Sequence, residues 1–157
     1  MKTALKVGLA VGILTSIWQL IMAGTGWLLR PQTFALFYIV ILIQVAVMIW
    51  GLRLTAAENS YGRQVAVGTV ASVVAAIFIV LFSLLLMLVL FPGLIDQMKA
   101  MRGQALRDAG ATEQEIAAAL ALQRPAIQAF QGFLGTVVTG VLATLVIAIF
   151  LRRKAVE

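Results

Sequence analysis

The stretch FALFYIVILIQVAVMIW, residues 34–50, carries a single amide, Gln44, and no charged side chain. A helix satisfies every backbone N–H and C=O internally, so it can cross a medium that offers no hydrogen bonds. A crossing takes about 20 predominantly apolar residues for a hydrocarbon core of about 30 Å. Three further segments have the same character, and the predicted spans cover residues 7–29, 34–52, 65–91 and 126–151. The third exceeds what a crossing requires and is expected to tilt or to emerge at one end. Phe91-Pro92-Gly93 should stop it, because proline disfavours helix in the residue before it and glycine caps readily.

Composition agrees with lipid as the solvent. Of 157 residues, 62% are hydrophobic and 11% charged, and the mean hydropathy is +1.06. A chain with so few polar groups lacks the means to cover a water-soluble surface. The net charge of +6 is then read as basic flanks that orient spans, not as a nucleic-acid interface, because no basic stripe with interleaved aromatics is present. Lys2 and Lys6 ahead of an apolar run also suit a signal peptide. The length of that run, Trp18, and the lack of a clear small-x-small site near IMAGTG (residues 21–26) favour a retained helix.

Seven basic residues (Lys2, Lys6, Arg53, Arg63, Arg152, Arg153 and Lys154) fall on one side of a four-span topology, in short segments. The other five (Arg30, Lys99, Arg102, Arg107 and Arg124) fall on the opposite side, four of them spread through one long connection. The positive-inside bias therefore predicts both termini in the cytoplasm.

That long connection, residues 93–125, reads as an extramembrane amphipathic helical hairpin. Leu94, Ile95, Met98, Met101, Ala105 and Leu106 share one helical face, and Asp96, Lys99, Gly103, Gln104, Arg107 and Asp108 the other. Gly110 sits where a left-handed C′ residue belongs. Thr112 and Glu115 have capping-box spacing, and Pro125 separates the second hairpin helix from the fourth span. The hairpin either docks a partner or covers an opening, or it lies in the interface with its apolar face down; amphipathic connections commonly do no more than the last.

Between helices in lipid, close packing of small residues replaces the hydrophobic effect. The fourth span offers Gly132, Thr136, Gly140 and Thr144 at every fourth position, continuing to Ala148. The first offers Gly8, Gly12 and Ser16, and the third Gly68, Ser72 and Ala76. These rows predict contacts among the first, third and fourth spans, within one bundle or between protomers. Gln19, Gln44 and Gln131 are the amides that stand out inside spans; they either line a polar path or join helices by hydrogen bonds. The absence of an accompanying charge favours joining.

YGRQVAVG (residues 61–68), FPGLIDQMKAM (91–101), GATEQEIAAAL (110–120) and LRRK (151–154), set on four spans, together resemble the bacterial membrane family named domain of unknown function 4199. The likeness covers nearly the whole chain through composition more than fixed motifs, and the alanine-rich, aromatic-poor hairpin departs from it. It implies a four-span bacterial inner-membrane protein and supplies no activity or site residues.

The chemistry available is narrow. Cysteine and histidine are absent, which removes thiolate, imidazole and zinc-type chemistry. The acidic residues Glu58, Asp96, Asp108, Glu113, Glu115 and Glu157 all lie in connections or the tail. Glu113 and Glu115 do not share a helical face and suit a helix amino terminus better than acid–base work. The expectation is an all-α integral membrane four-helix bundle with the hairpin between its third and fourth spans. It should have no catalytic residues, cofactor, metal or nucleic-acid partner. It would serve a structural, assembly or accessory role in the lipid bilayer, with itself or another membrane subunit; the alternative is a small transporter or channel-forming subunit acting as an oligomer.

Overall fold

Hydropathy marks where lipid can solvate a helix, not where its hydrogen bonds stop. In the computed structural model, which describes residues 1–56 and 60–151, the apolar runs extend into helices with different ends. Helix α1 covers Lys2–Gly24, α2 Pro31–Arg53, α3 Tyr61–Leu90 and α6 Pro125–Leu151; each is long and apolar enough to cross a membrane. Between α3 and α6 lie α4, Leu94–Asp108, and α5, Glu113–Ala121. The described residues contain no strand. Glu58, Arg152, Arg153, Lys154 and Glu157 lie outside the described residues.

The first predicted span, 7–29, is two elements. Helix α1 stops at Gly24 because Gly26 takes a left-handed backbone (φ 71°), and Trp27–Leu29 form a separate tight turn. The Thr25 hydroxyl donates to the Ile21 carbonyl at 2.7 Å and closes the last turn. Helix α2 starts earlier than its apolar run, with Pro31 in the first turn, where its missing N–H costs nothing. Its residues Ala35–Tyr38 are tightened into a 3₁₀ stretch, and the Trp18 indole N–H donates to the Leu36 carbonyl there at 3.1 Å. Helix α3 is 30 residues long, about 45 Å at 1.5 Å per residue, so it outruns the hydrocarbon core. Its final turn, Leu86–Leu90, is π-helical, with the Phe91 amide donating to the Leu86 carbonyl at 2.7 Å, before Pro92 and Gly93 turn the chain.

The crossing-length helices pack in the cyclic order α1, α3, α6, α2. Helix α3 therefore neighbours α1 and α6 along most of its length and lies diagonal to α2, its predecessor in sequence. Small residues set this order. A Cβ built on Gly8 would lie 2.6 Å from the Ala71 carbonyl oxygen and 2.7 Å from Val74 Cβ; one on Gly12 would lie 2.9 Å from Phe78 Cβ. Across the other face of α3, Gly68 receives Thr144, and Gly140 receives Ser72. Both hydroxyls donate to their own helix one turn back, Ser72 to the Gly68 carbonyl at 2.8 Å and Thr144 to the Gly140 carbonyl at 2.7 Å. Each glycine thus accepts a neighbour's hydroxyl-bearing side chain whose polar atom is already satisfied. Ala76 is fully buried, and Ser16 is buried with no hydrogen-bond partner for its hydroxyl. Although α2 lacks a small-residue row, its Gly51 sits directly against Val7.

At the end of the bundle holding Lys2 and Arg53, Val7, Met48, Leu52, Ala71 and Ile147 form a closed apolar core. At the hairpin end a second core joins Met22, Ala23, Leu28, Leu86 and Leu94, with Trp18, Trp27 and Phe37 against it. The bundle's outside stays apolar: Leu42 is 68% exposed, Leu81 64% and Leu142 57%. In water a continuous surface of this kind is an aggregation liability; in lipid it is what solvation requires.

Candidate functional site

Not all of the small residues of α6 serve packing. Gly132 and Gly135 have no neighbour within 4 Å of where a Cβ would stand. They form one wall of a crevice, and this corrects the expectation that Gly132 continues the packing row, whereas Gly140 and Thr144, further along, meet α3 closely. The crevice has a volume of about 310 Å³. Its polar lining is Thr15 and Gln19 from α1, Gln44 from α2, and Gln128, Gln131, Thr136 and Thr139 from α6; Phe37, Val40, Ile41 and Ile79 supply the apolar side. Exposed Ile41 on α2 and exposed Gln131, Gly132 and Gly135 on α6 border its side opening.

Gln44 closes the inner end. It is 5% exposed, its Nε2 donates to the Thr136 carbonyl at 2.8 Å, and its Oε1 accepts from the Thr139 hydroxyl at 3.0 Å. The single Thr139 hydroxyl proton is shared between that Oε1 and the Gly135 carbonyl of its own helix, 2.6 Å away. Gln44 therefore joins α2 to α6 near the middle of both. Gln19 joins α1 to α3, its Oε1 accepting from the Ser83 hydroxyl at 3.1 Å. Gln131 joins nothing: it is exposed at the crevice mouth, one turn from half-buried Gln128. Three amides of one residue type thus do two different things, because helix position decides which of them meets a partner.

Replacing Gln44 with Leu is expected to cost about 1 kcal/mol, the usual worth of an interhelical hydrogen bond in a membrane protein. A double-mutant cycle between Gln44→Leu and Thr139→Val, read by unfolding in mixed detergent micelles, should give a coupling of that size. Additive effects would mean that the Thr139 hydroxyl contributes nothing to the junction, leaving Gln44 held by the Thr136 carbonyl alone.

A smaller cavity of about 150 Å³ shares Gln19, Phe37, Gln128 and Gly132 with the crevice. It continues toward Leu86 and Met87 of the π-helical turn and to Leu94 and Met98 of α4. The first turns of α4 thus lie across the end of the crevice. Helix α4 is held there by burial of Leu94 and Ile95. Its opposite side is less polar than the sequence reading placed it: Gly103 is buried, with a Cβ position 3.5 Å from Leu120, so it packs against α5 and does not face water.

The hairpin turn is tightly specified. Gly110 has φ 82°; its amide donates to the Arg107 carbonyl at 2.9 Å and that of Ala111 to the Leu106 carbonyl at 3.0 Å, completing a Schellman motif. Thr112 caps α5: the Glu115 amide donates to its hydroxyl at 3.3 Å, and the Thr112 amide donates to the Glu115 carboxylate at 2.8 Å. Arg107 Nε donates to Glu113 at 3.1 Å. The hydrogen bond from Arg107, and then its charge, hold the Glu113 carboxyl below the ordinary range; the Thr112 amide, and then its hydroxyl, do the same for Glu115. Groups with depressed values contribute stability that is complete at neutral pH and lost as pH falls through those values. A ¹³C titration of the two carboxyls should give midpoints below that of an unfolded peptide, with Glu113 returning toward the peptide value in Arg107→Gln. Midpoints at or above the peptide value would contradict these contacts.

Four crossing-length helices with apolar exteriors, an interlocked half and a crevice in the other half define a multi-pass helical membrane protein. Within that class, the family model described as "Protein of unknown function (DUF4199)" matches residues 6–153, and the chain belongs to that family. No curated protein and no solved structure matches the chain.

Proposed function

We propose that this protein is a non-catalytic structural or accessory component of the bacterial inner membrane, with both termini cytoplasmic and the hairpin on the outer face. The observation that carries the reading is the reciprocal seating of Gly68 with Thr144 and Gly140 with Ser72, beside the Gln44 junction. These contacts fix α2, α3 and α6 to one another at mid-bundle, as a scaffold requires. The orientation rests on the basic residues of the short segments, and the bacterial inner membrane on the family resemblance. The exposed helix faces and the hairpin are the surfaces through which it would associate with itself or another membrane subunit.

The test is replacement of residues 94–124 by a short polar linker, followed by cross-linking in native membranes. A defined assembly that is lost in the variant supports the accessory role. An uncross-linked chain, with unchanged abundance in the variant, overturns it.

A transporter or channel is the second reading, and the amide-lined crevice favours it. Against it, the crevice ends at Gln44 and Thr139, beyond which Val7, Met48, Leu52, Ala71 and Ile147 fill the bundle. Conduction through one chain would need that core to part. Solute flux in proteoliposomes that survives Gly132→Leu, which fills the crevice, would have to follow a route between protomers.

A further inference from the structure

The crevice contains more polar capacity than the bundle uses. Thr15, one of the residues lining the crevice, is 4% exposed, and its buried hydroxyl has no hydrogen-bond partner. A helical threonine ordinarily donates to the carbonyl one turn back, as Thr139 and Thr144 do here. Gln19 commits its Oε1 to Ser83 and keeps its amide N–H groups as donors. Gln128 and Gln131 add two amides at the mouth, and an amide turned toward acyl chains with nothing to bond is costly.

Charge and shape restrict what these groups can hold. No ionisable side chain lines the crevice, so a charged headgroup would be desolvated without a counter-charge. The volume, about 310 Å³, is at the lower end of small-molecule sites, enough for a compact head but not for an acyl or prenyl chain. Phe37, Val40, Ile41 and Ile79 face the polar groups, and the side opening between α2 and α6 gives a chain its way out to lipid. Gln44 and Thr139 lie near the middles of α2 and α6, so the lining reaches below the depth of phospholipid headgroups.

We propose that the crevice is a binding site for an uncharged lipid. Its carbonyl- or hydroxyl-bearing head sits against Thr15, Gln19, Gln128 and Gln131, and its chain leaves between α2 and α6. An isoprenoid quinone and a diacylglycerol share this chemistry. The site is independent of the accessory role, since it concerns the open half of the bundle and that role rests on the closed half.

The full chain in phosphatidylcholine nanodiscs is titrated with decylubiquinone and, separately, with dioctanoylglycerol, and bound probe is counted by native mass spectrometry against empty discs. Saturable binding of at least one probe, one per chain, is expected, and whichever binds names the head. Thr15→Val, which keeps shape and removes only the unpartnered hydroxyl, should weaken binding about fivefold, the worth of one hydrogen bond. Gly132→Leu should abolish it. The proposal is overturned if neither probe saturates, if Thr15→Val binds like the parent, or if anionic phosphatidylglycerol displaces the probe as well as the probe displaces itself. Thr15→Val keeps the test decisive should Gly132→Leu fail to fold.

Discussion

Gly140→Leu is expected to destabilise the bundle by on the order of 3 kcal/mol, the upper part of the usual range for overpacking, while Gly132→Leu, two turns earlier on the same stripe, leaves stability nearly unchanged. A Cβ on Gly140 would collide with the Ser72 hydroxyl and lie 2.8 Å from Ser72 Cβ and 2.5 Å from Gln44 Nε2. One substitution therefore strikes the α3–α6 seam and the α2–α6 junction together. Neither neighbour can swing away freely: Ser72 is fixed by its bond to the Gly68 carbonyl, and Gln44 by two bonds to α6. At Gly132 the same side chain would enter open space. Unfolding of both variants in mixed micelles, followed by tryptophan fluorescence, measures the difference. Equal losses at the two positions would show that the row is one continuous packing stripe after all.

Gly8→Leu should be comparably severe, again on the order of 3 kcal/mol, and for a different reason. Its obstacle is backbone, the Ala71 carbonyl oxygen at 2.6 Å from the Cβ position. A helix carbonyl cannot rotate out of the way without breaking its own hydrogen bond, so α1 must lift from α3. At Gly12 the obstacles are the Phe78 Cβ and ring, each 2.9 Å away at its nearest atom, and of these the ring can swing aside. Gly8→Ala should accordingly cost more than Gly12→Ala, and both less than Gly8→Leu. Thermal unfolding of the three variants in the same detergent gives the order; Gly12→Ala proving the worst would mean that the Phe78 ring is locked and the Ala71 backbone is not.

The four crossing helices were legible because lipid solvation demands long uninterrupted apolar runs, and nothing else in the sequence produces them. Their ends were less so. Hydropathy ran through Gly24-Thr25-Gly26 into Trp27 because the turn residues there are small and uncharged, and it stopped short at Tyr61 because Arg63 and Gln64 are polar but still helical. The small residues at every fourth position were visible; which of them touch was not. Gly132 and Gly140 are identical as letters, and only what stands opposite each, the crevice at Gly132 and Ser72 with Gln44 at Gly140, separates a cavity wall from a packing contact. The same geometry parts Gln44, which finds Thr136 and Thr139, from Gln131, which finds no partner. Gly103 looked like a member of a polar face because spacing cannot show a second helix folding back; the Schellman turn at Gly110 and the cap at Thr112 were the available signals that α5 would do so. Thr15 had no distinguishing signal at all, since an unpartnered hydroxyl is a property of its surroundings.

All of this depends on lipid surrounding the outer faces of α1, α2, α3 and α6. The chain has no cysteine, so single cysteines can be introduced without background: Leu42→Cys, Leu81→Cys and Leu142→Cys on exposed apolar faces, and Gln104→Cys on the exposed side of α4. Labelling in intact membranes with a membrane-impermeant maleimide should modify Gln104→Cys and spare the other three until detergent is added. Ready labelling of Leu42→Cys, Leu81→Cys and Leu142→Cys before detergent would place water where the bundle needs acyl chains.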